Sequence, residues 1–222
     1  MVWVKICGTT NLEDALAAVD AGADALGFVF AESPRRVEPS VVAHITRALP
    51  ESIERIGVFV DETAGRIDEI VAEAGLTAVQ LHGDGSLDVA EKLAADLEAT
   101  RISRVIPVLP MRRIQQMASR GGVVVKLSRA IDTVLIDSAA QGKRGGSGQA
   151  WDWETGKFFL EMFRDSVRTI VAGGLTPANV ADAIRTLRPW GVDVSSGVER
   201  EPGKKDHEKV RSFVKAAKDV KL

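Results

Sequence analysis

A single cysteine, Cys7, cannot form an intramolecular disulfide, so the chain fits a reducing compartment and the cytoplasm is its expected location. The three histidines, His44, His82 and His207, are dispersed around that one thiol, and no metal-ligand spacing emerges, so no metal is expected. No apolar run approaches the roughly 20 residues that span a bilayer. Lys5 also interrupts the first apolar stretch too early for a signal peptide. Lys and Arg number 29 against 31 Asp and Glu, a balance that gives no field for nucleic acid or an anionic membrane. Both a monomer and a homodimer are compatible with the sequence. With 222 residues and 45% hydrophobic content, the chain can bury a substantial core.

What is present is alternation. Short β-rich apolar runs occur at 2–7, 25–30, 55–60, 78–82, 104–109, 133–137, 168–174 and 192–196, and the segments between them carry helical periodicity. Thr10-Asn11-Leu12-Glu13 fits a capping box opening a helix with a Leu12, Ala15, Leu16, Val19 stripe, and Gly22 is its expected stop. Ile67, Ile70, Val71 and Ala74 form a second stripe before Gly75. Thr176-Pro177 marks a helix start ahead of Val180, Ile184 and Leu187. Val210, Phe213, Val214 and Ala217 mark a last helix. Within 110–132, Gly121-Gly122 leaves the fifth helix unplaced.

Strands alternating with helices imply parallel strands and right-handed crossovers. Eight units predict a single-domain (β/α)8 barrel over 1–222. A doubly wound open sheet is the alternative. It often carries a glycine-rich first turn, whereas the turn after Cys7 has one glycine.

In such a barrel, function sits at the C-terminal strand ends. Strand alternation groups Trp3, Lys5 and Cys7 on the inner face, Asp137 with Leu135, and Asp193 with Ser195. Lys5, Cys7, Asp137 and Asp193 therefore share the upper layer of the barrel. A salt-bridged core explains Lys5 and Asp193 as well as catalysis does. Cys7 reads as a buried small hydrophobe or as a reactive thiol whose pKa Lys5 lowers. Gly8 is expected to leave room for substrate.

Gly145-Gly146-Ser147-Gly148, Gly173-Gly174 and Ser195-Ser196-Gly197 follow the sixth, seventh and eighth strands, and a short helix is expected after the last. Each alone is an ordinary turn. Together they converge where these barrels bind phosphate through backbone N–H groups. Arg35, in the loop after strand two, offers a planar fork for a carboxylate, with Arg36 as its rival. His82 closes strand four at the mouth, to line a ligand or hold a loop. His44 and His207 fall on helix surfaces facing solvent.

VKICG with TN and EDA, GADALGFVF, SPRRV, IGVFVD, VQLHGD, VLIDS with GGSG and WDW, AGGLTPANV, and GVDVSSGVE with PGKKD together closely resemble the phosphoribosylanthranilate isomerase family. The similarity runs in order from residue 2 to about 218, with nothing recognisable around 98–132. It implies an Amadori rearrangement of N-(5-phosphoribosyl)anthranilate to 1-(2-carboxyphenylamino)-1-deoxyribulose 5-phosphate, in tryptophan biosynthesis. It further implies Cys7 as general base and Asp137 as general acid. The glycine-rich segments and Ser195–Gly197 would hold the phosphate, and Arg35 would meet the anthranilate carboxylate; His82 and Asp193 are further substrate-site candidates from their strand positions alone. No cofactor is required. Other phosphosugar isomerase or epimerase barrels would share the glycines without calling for Cys7 with Asp137. A non-catalytic phosphometabolite-binding barrel would tolerate loss of Cys7.

Overall fold

The computed structural model describes residues 1–83, 85–95, 102–110, 131–137, 156–157, 160–161, 163–164 and 166–221. Eight parallel strands close into a barrel in sequence order: β1 Trp3–Cys7, β2 Ala25–Val29, β3 Glu54–Val60, β4 Ala78–His82, β5 Arg104–Pro110, β6 Thr133–Asp137, β7 Arg168–Ala172 and β8 Gly191–Val194. β1 pairs with both β2 and β8, and this closes the ring. The open doubly wound sheet is thereby ruled out.

Alternation along the strands separates two apolar layers. Val4, Ile6, Leu26, Val79, Val134 and Ile136 face outward and pack with helix residues such as Ala15, Ile67, Ile184 and Phe213. Trp3, Ala25, Ile56, Ala78, Ile106, Leu135 and Ile170 fill the barrel interior. At its floor the Trp3 ring stacks on Trp190 with centroids 5.1 Å apart. Cys7 ends the inner row of β1, so the strand grouping of Trp3, Lys5 and Cys7 holds.

The described helices are α1 Leu12–Asp20, α2 Pro39–Thr46, α3 Ala64–Ala74, α4 Ser86–Ala94, α5 Val180–Leu187 and α6 His207–Lys218. The stripes of α3, α5 and α6 are buried as their periodicity predicts. Gly75 closes α3 at φ +67°, a left-handed turn that suits a residue without Cβ.

Three boundary expectations are corrected. The N-cap of α1 is Asn11, whose Oδ1 accepts from Asp14 N at 2.8 Å, while the Thr10 hydroxyl donates to the Gly203 carbonyl. The buried face of α1 is also rotated: Asp14, Ala15 and Ala18 are inside, whereas Leu16 is exposed. Asp14 is drawn in because its carboxylate accepts from Asn11 Nδ2, Lys205 N and His207 Nε2. Finally, α5 starts at Val180, not beside Pro177, because Asn179 Oδ1 accepts from Thr176 N and holds 176–179 as a turn.

After β8 the chain makes a short 3-10 turn, Ser196–Val198, as expected. It then forms a small antiparallel hairpin of β9 Glu199–Glu201 and β10 Lys204–Lys205, which the sequence did not disclose. The hairpin lies across the ends of β1 and β8. The helix sought within 110–132 falls largely outside the described residues.

Candidate active site

The charged centre of the barrel begins with Lys5, which is fully buried. The β1–β8 register puts it opposite Asp193, and Nζ lies 3.0 Å from Oδ1. Lys5 also donates to Gln80 Oε1 at 2.7 Å. Burial pulls the ammonium towards neutrality, but the charges of Asp193 and Cys7 outweigh that, and its pKa ends above the usual value.

Cys7 sits one inward step higher, 8% exposed. Its space is made by Gly27 on β2, since a methyl there would stand 2.8 Å from both Cys7 Sγ and Lys5 Cε. Burial pushes the thiol pKa up. Lys5 and Lys205 pull it back, while Asp193 opposes them. Lys5 thus acts in the expected direction, and desolvation outweighs it.

Gly8 follows at φ +75°. The space on its side-chain face is not open, as expected, but filled: a Cβ there would meet Arg35 Cδ at 2.5 Å and Ser195 Oγ at 3.1 Å. Arg35 thus lies over the end of β1. Its Nε and Nη2 donate to Glu199 at 2.8 and 2.6 Å, a bidentate fork that raises the guanidinium pKa. Three of its N–H donors, with the Nη1 edge, are not used by that fork. Arg36, the rival, is exposed and pairs with Glu38 at 3.5 Å, so the loop turns it away from Arg35's site.

Glu199 is held ionised by Arg35 and Lys205, which overcome the effect of its burial. Lys205, with no exposed surface, donates to Cys7 O and Glu199 Oε1. The hairpin and the end of β1 are thereby one polar unit. His207 belongs to its flank: it is only partly exposed and contacts buried Asp14 at 2.8 Å, which corrects the expectation of a solvent-facing ring. His44 is exposed as expected.

His82 ends the inner row of β4, with Nε2 2.8 Å from Gln80 Nε2. Burial first, and the charge of Lys5 second, lower its pKa to about 4. Asp137 ends β6, in register with Pro110 and Ala172, half-buried at the same barrel end.

Gly173 and Gly174 leave β7 at φ +94° and +65°. A Cβ on Gly197 would overlap the Leu175 carbonyl, so the loops after β7 and β8 pack backbone against backbone. The N–H groups of Gly173, Gly174, Ser196 and Gly197 donate to no other described residue. Gly145, Gly146 and Ser147 lie outside the described residues. No metal-holding group of His, Cys, Asp and Glu occurs among the described residues.

Gln80, Gly27, Glu199 and Lys205 were missed from sequence. Parity with Ala78 and His82 could have found Gln80. Lys205, inside the charged run PGKKD, reads as solvated surface until the hairpin is folded over the barrel.

A closed barrel with an inward thiol, an acid at a strand end and paired glycine turns defines a phosphosugar-type acid/base enzyme. Residues 4–216 match the model of the N-(5'-phosphoribosyl)anthranilate (PRA) isomerase family. The enzyme of that name from Pelobacter propionicus is 43% identical over all of this chain and 98% of its own length. The Thermotoga maritima phosphoribosyl anthranilate isomerase structure superposes with a TM-score of 0.83 at 40% identity, covering 99% of this chain and 100% of that one. A phosphoribosyl anthranilate isomerase solved with reduced 1-(o-carboxyphenylamino)-1-deoxyribulose 5-phosphate gives 0.79 at 38%, with the same coverage. The chain belongs to the N-(5'-phosphoribosyl)anthranilate isomerase family and is an isomerase of tryptophan biosynthesis.

Proposed function

We propose that Cys7 and Asp137 are the base and acid of the Amadori rearrangement of N-(5-phosphoribosyl)anthranilate. The observation that carries this reading is the inward thiol of Cys7, set between the buried cations Lys5 and Lys205 at the same barrel end as Asp137. Asp137, in its acid form, gives a proton to the furanose ring oxygen, and the C1–O bond breaks. The anilino nitrogen supplies the electron pair and becomes an iminium, which acidifies the hydrogen on C2. The Cys7 thiolate takes that proton, and the electrons move into an enolamine that tautomerises to the ketone. Lys5 and Lys205 favour the thiolate, and no electron leaves or enters.

The substrate class is supported by the relative solved with a reduced deoxyribulose phosphate. The donors of Gly173, Gly174, Ser196 and Gly197 suit its phosphate, with Gly145, Gly146 and Ser147 assigned there by resemblance. The unused edge of Arg35 suits the anthranilate carboxylate, and His82 and Asp193 complete the sugar site. The single domain acts in the cytoplasm, as a monomer or homodimer; among the described residues no helix is long and apolar enough to cross a membrane.

The test is a fluorescence assay of phosphoribosylanthranilate loss. Cys7→Ala and Asp137→Asn should each lose about 10²-fold or more in kcat, the usual contribution of a positioned acid or base. Normal turnover by either variant would remove that residue from its role.

A further inference from the structure

The acid/base exchange above makes no use of Gln80, yet this buried amide joins the ammonium beneath Cys7 to the imidazole at the mouth. On β4, Ala78, Gln80 and His82 share the inner face. Lys5 Nζ is 2.7 Å from Gln80 Oε1, and both residues are buried. An ammonium has only donors, so the amide oxygen must face Lys5 and the amide NH2 must face away. That NH2 lies 2.8 Å from His82 Nε2. It carries no lone pair to offer, so His82 Nε2 must be the acceptor. The ring proton then resides on Nδ1.

We propose that Lys5 and Gln80 fix His82 as a neutral Nδ1–H donor at the barrel mouth, where it binds an oxygen of the substrate's sugar chain. This rests on the isomerase reading of the site. Arg35 reaches in from the β2 loop for the carboxylate, and the β7 and β8 turns serve the phosphate. The sugar chain lies between these anchors, above Cys7, and Lys5 links Cys7 to this same relay. A neutral imidazole suits the position. It donates a hydrogen bond to a hydroxyl or developing ketone oxygen without adding a second cation beside an iminium. Lys5, with no acceptor to offer, also makes a protonated ring unfavourable. In this arrangement His82 binds substrate, and Gln80 is a positioning residue acting through the ring.

The tautomer is read directly by long-range ¹H–¹⁵N correlation on histidine-labelled, substrate-free protein near neutral pH, with His82→Asn assigning the signal. The wild type should show His82 protonated at Nδ1 and bare at Nε2. Gln80→Glu should reverse this, because a carboxylate facing Nε2 can only accept. A wild-type ring protonated at Nε2, or doubly protonated, overturns the proposal.

Kinetics supply the second arm. An asparagine amide reaches about where Nδ1 stands, whereas glutamine reaches the Nε2 position. His82→Asn should keep KM within a few-fold of wild type, and His82→Gln should raise it about tenfold, the worth of one hydrogen bond. Equal KM values in the two variants overturn directed donation by Nδ1. Because the tautomer is read without substrate, failure of this inference is distinct from failure of the isomerase reaction, which the wild-type assay reports.

Discussion

Lys205 Nζ donates to the main-chain carbonyl of Cys7 at 2.5 Å, across 198 residues of chain, and pairs with Glu199 Oε1 at 3.0 Å. The contact ties the end of the first strand to the hairpin after the last, so the thiol's backbone depends on a residue far from it in sequence. Burial lowers the Lys205 pKa and Glu199 counters that. A buried charge pair is not a large net stabiliser, but removing one partner leaves the other uncompensated.

Lys205→Met should therefore destabilise the fold by roughly 3–5 kcal/mol, as is usual for breaking a buried pair. Lys205→Met with Glu199→Gln should recover part of the loss, since the stranded carboxylate is gone. Urea denaturation measures both. A single variant within about 1 kcal/mol of wild type would show that the pair is solvated in solution.

Gly27 sets the space around Cys7 and Lys5, which its strand context hides. A methyl at this position would stand 2.8 Å from Cys7 Sγ and from Lys5 Cε, displacing the thiol and the ammonium together. Overpacking of this kind costs about 1–3 kcal/mol. Gly27→Ala should remain folded yet lose on the order of 10²-fold in kcat, as expected for a misplacement near 1 Å. Unchanged kcat with intact folding would mean that the thiol has room to move.

The Cys7 thiol should titrate above the ordinary cysteine value, because burial outweighs the help of Lys5 and Lys205. The free-enzyme kcat/KM should then rise with pH beyond neutrality, as more of the base is ionised. Lys5→Met should move the thiol titration, followed by ultraviolet thiolate absorbance, further up. A downward move or no move would remove Lys5 from thiolate stabilisation.

Much of this was legible in the chain because two periodicities carry it. The period-2 runs located all eight strands within a few residues, and the parity of Trp3, Lys5 and Cys7 followed from the same rule. The 3.6 period found the buried faces of α3, α5 and α6 but misplaced that of α1. There a polar residue, Asp14, goes inside because the distant Lys205 and His207 meet it. The same limit hid Glu199 and Lys205. Their partners are brought together only by barrel closure and the terminal hairpin, which no local pattern encodes. The net thiol shift was also out of reach, since it depends on burial, which spacing alone does not measure.

His82 makes acid stability a quantitative test of the relay at the mouth. Its pKa is about 4 in the folded protein, against about 6.5 for an unfolded histidine. Above pH 6.5 the ring is neutral in both states and contributes nothing to the pH dependence. Between 6.5 and 4 the unfolded chain binds a proton that the folded protein refuses, so stability falls as pH falls. Below 4 both states are protonated and this part of the loss levels off, at roughly 3 kcal/mol in all. By pH 5 the loss is about 2 kcal/mol. Other groups also titrate as the pH falls, so the useful quantity is the difference between wild type and His82→Asn, which lacks the titrating ring. Urea unfolding at pH 7 and pH 5 should show the wild type losing about 2 kcal/mol more than the variant over that interval. Equal losses would mean that His82 accepts a proton freely in the folded state, and that neither burial nor Lys5 holds the ring neutral.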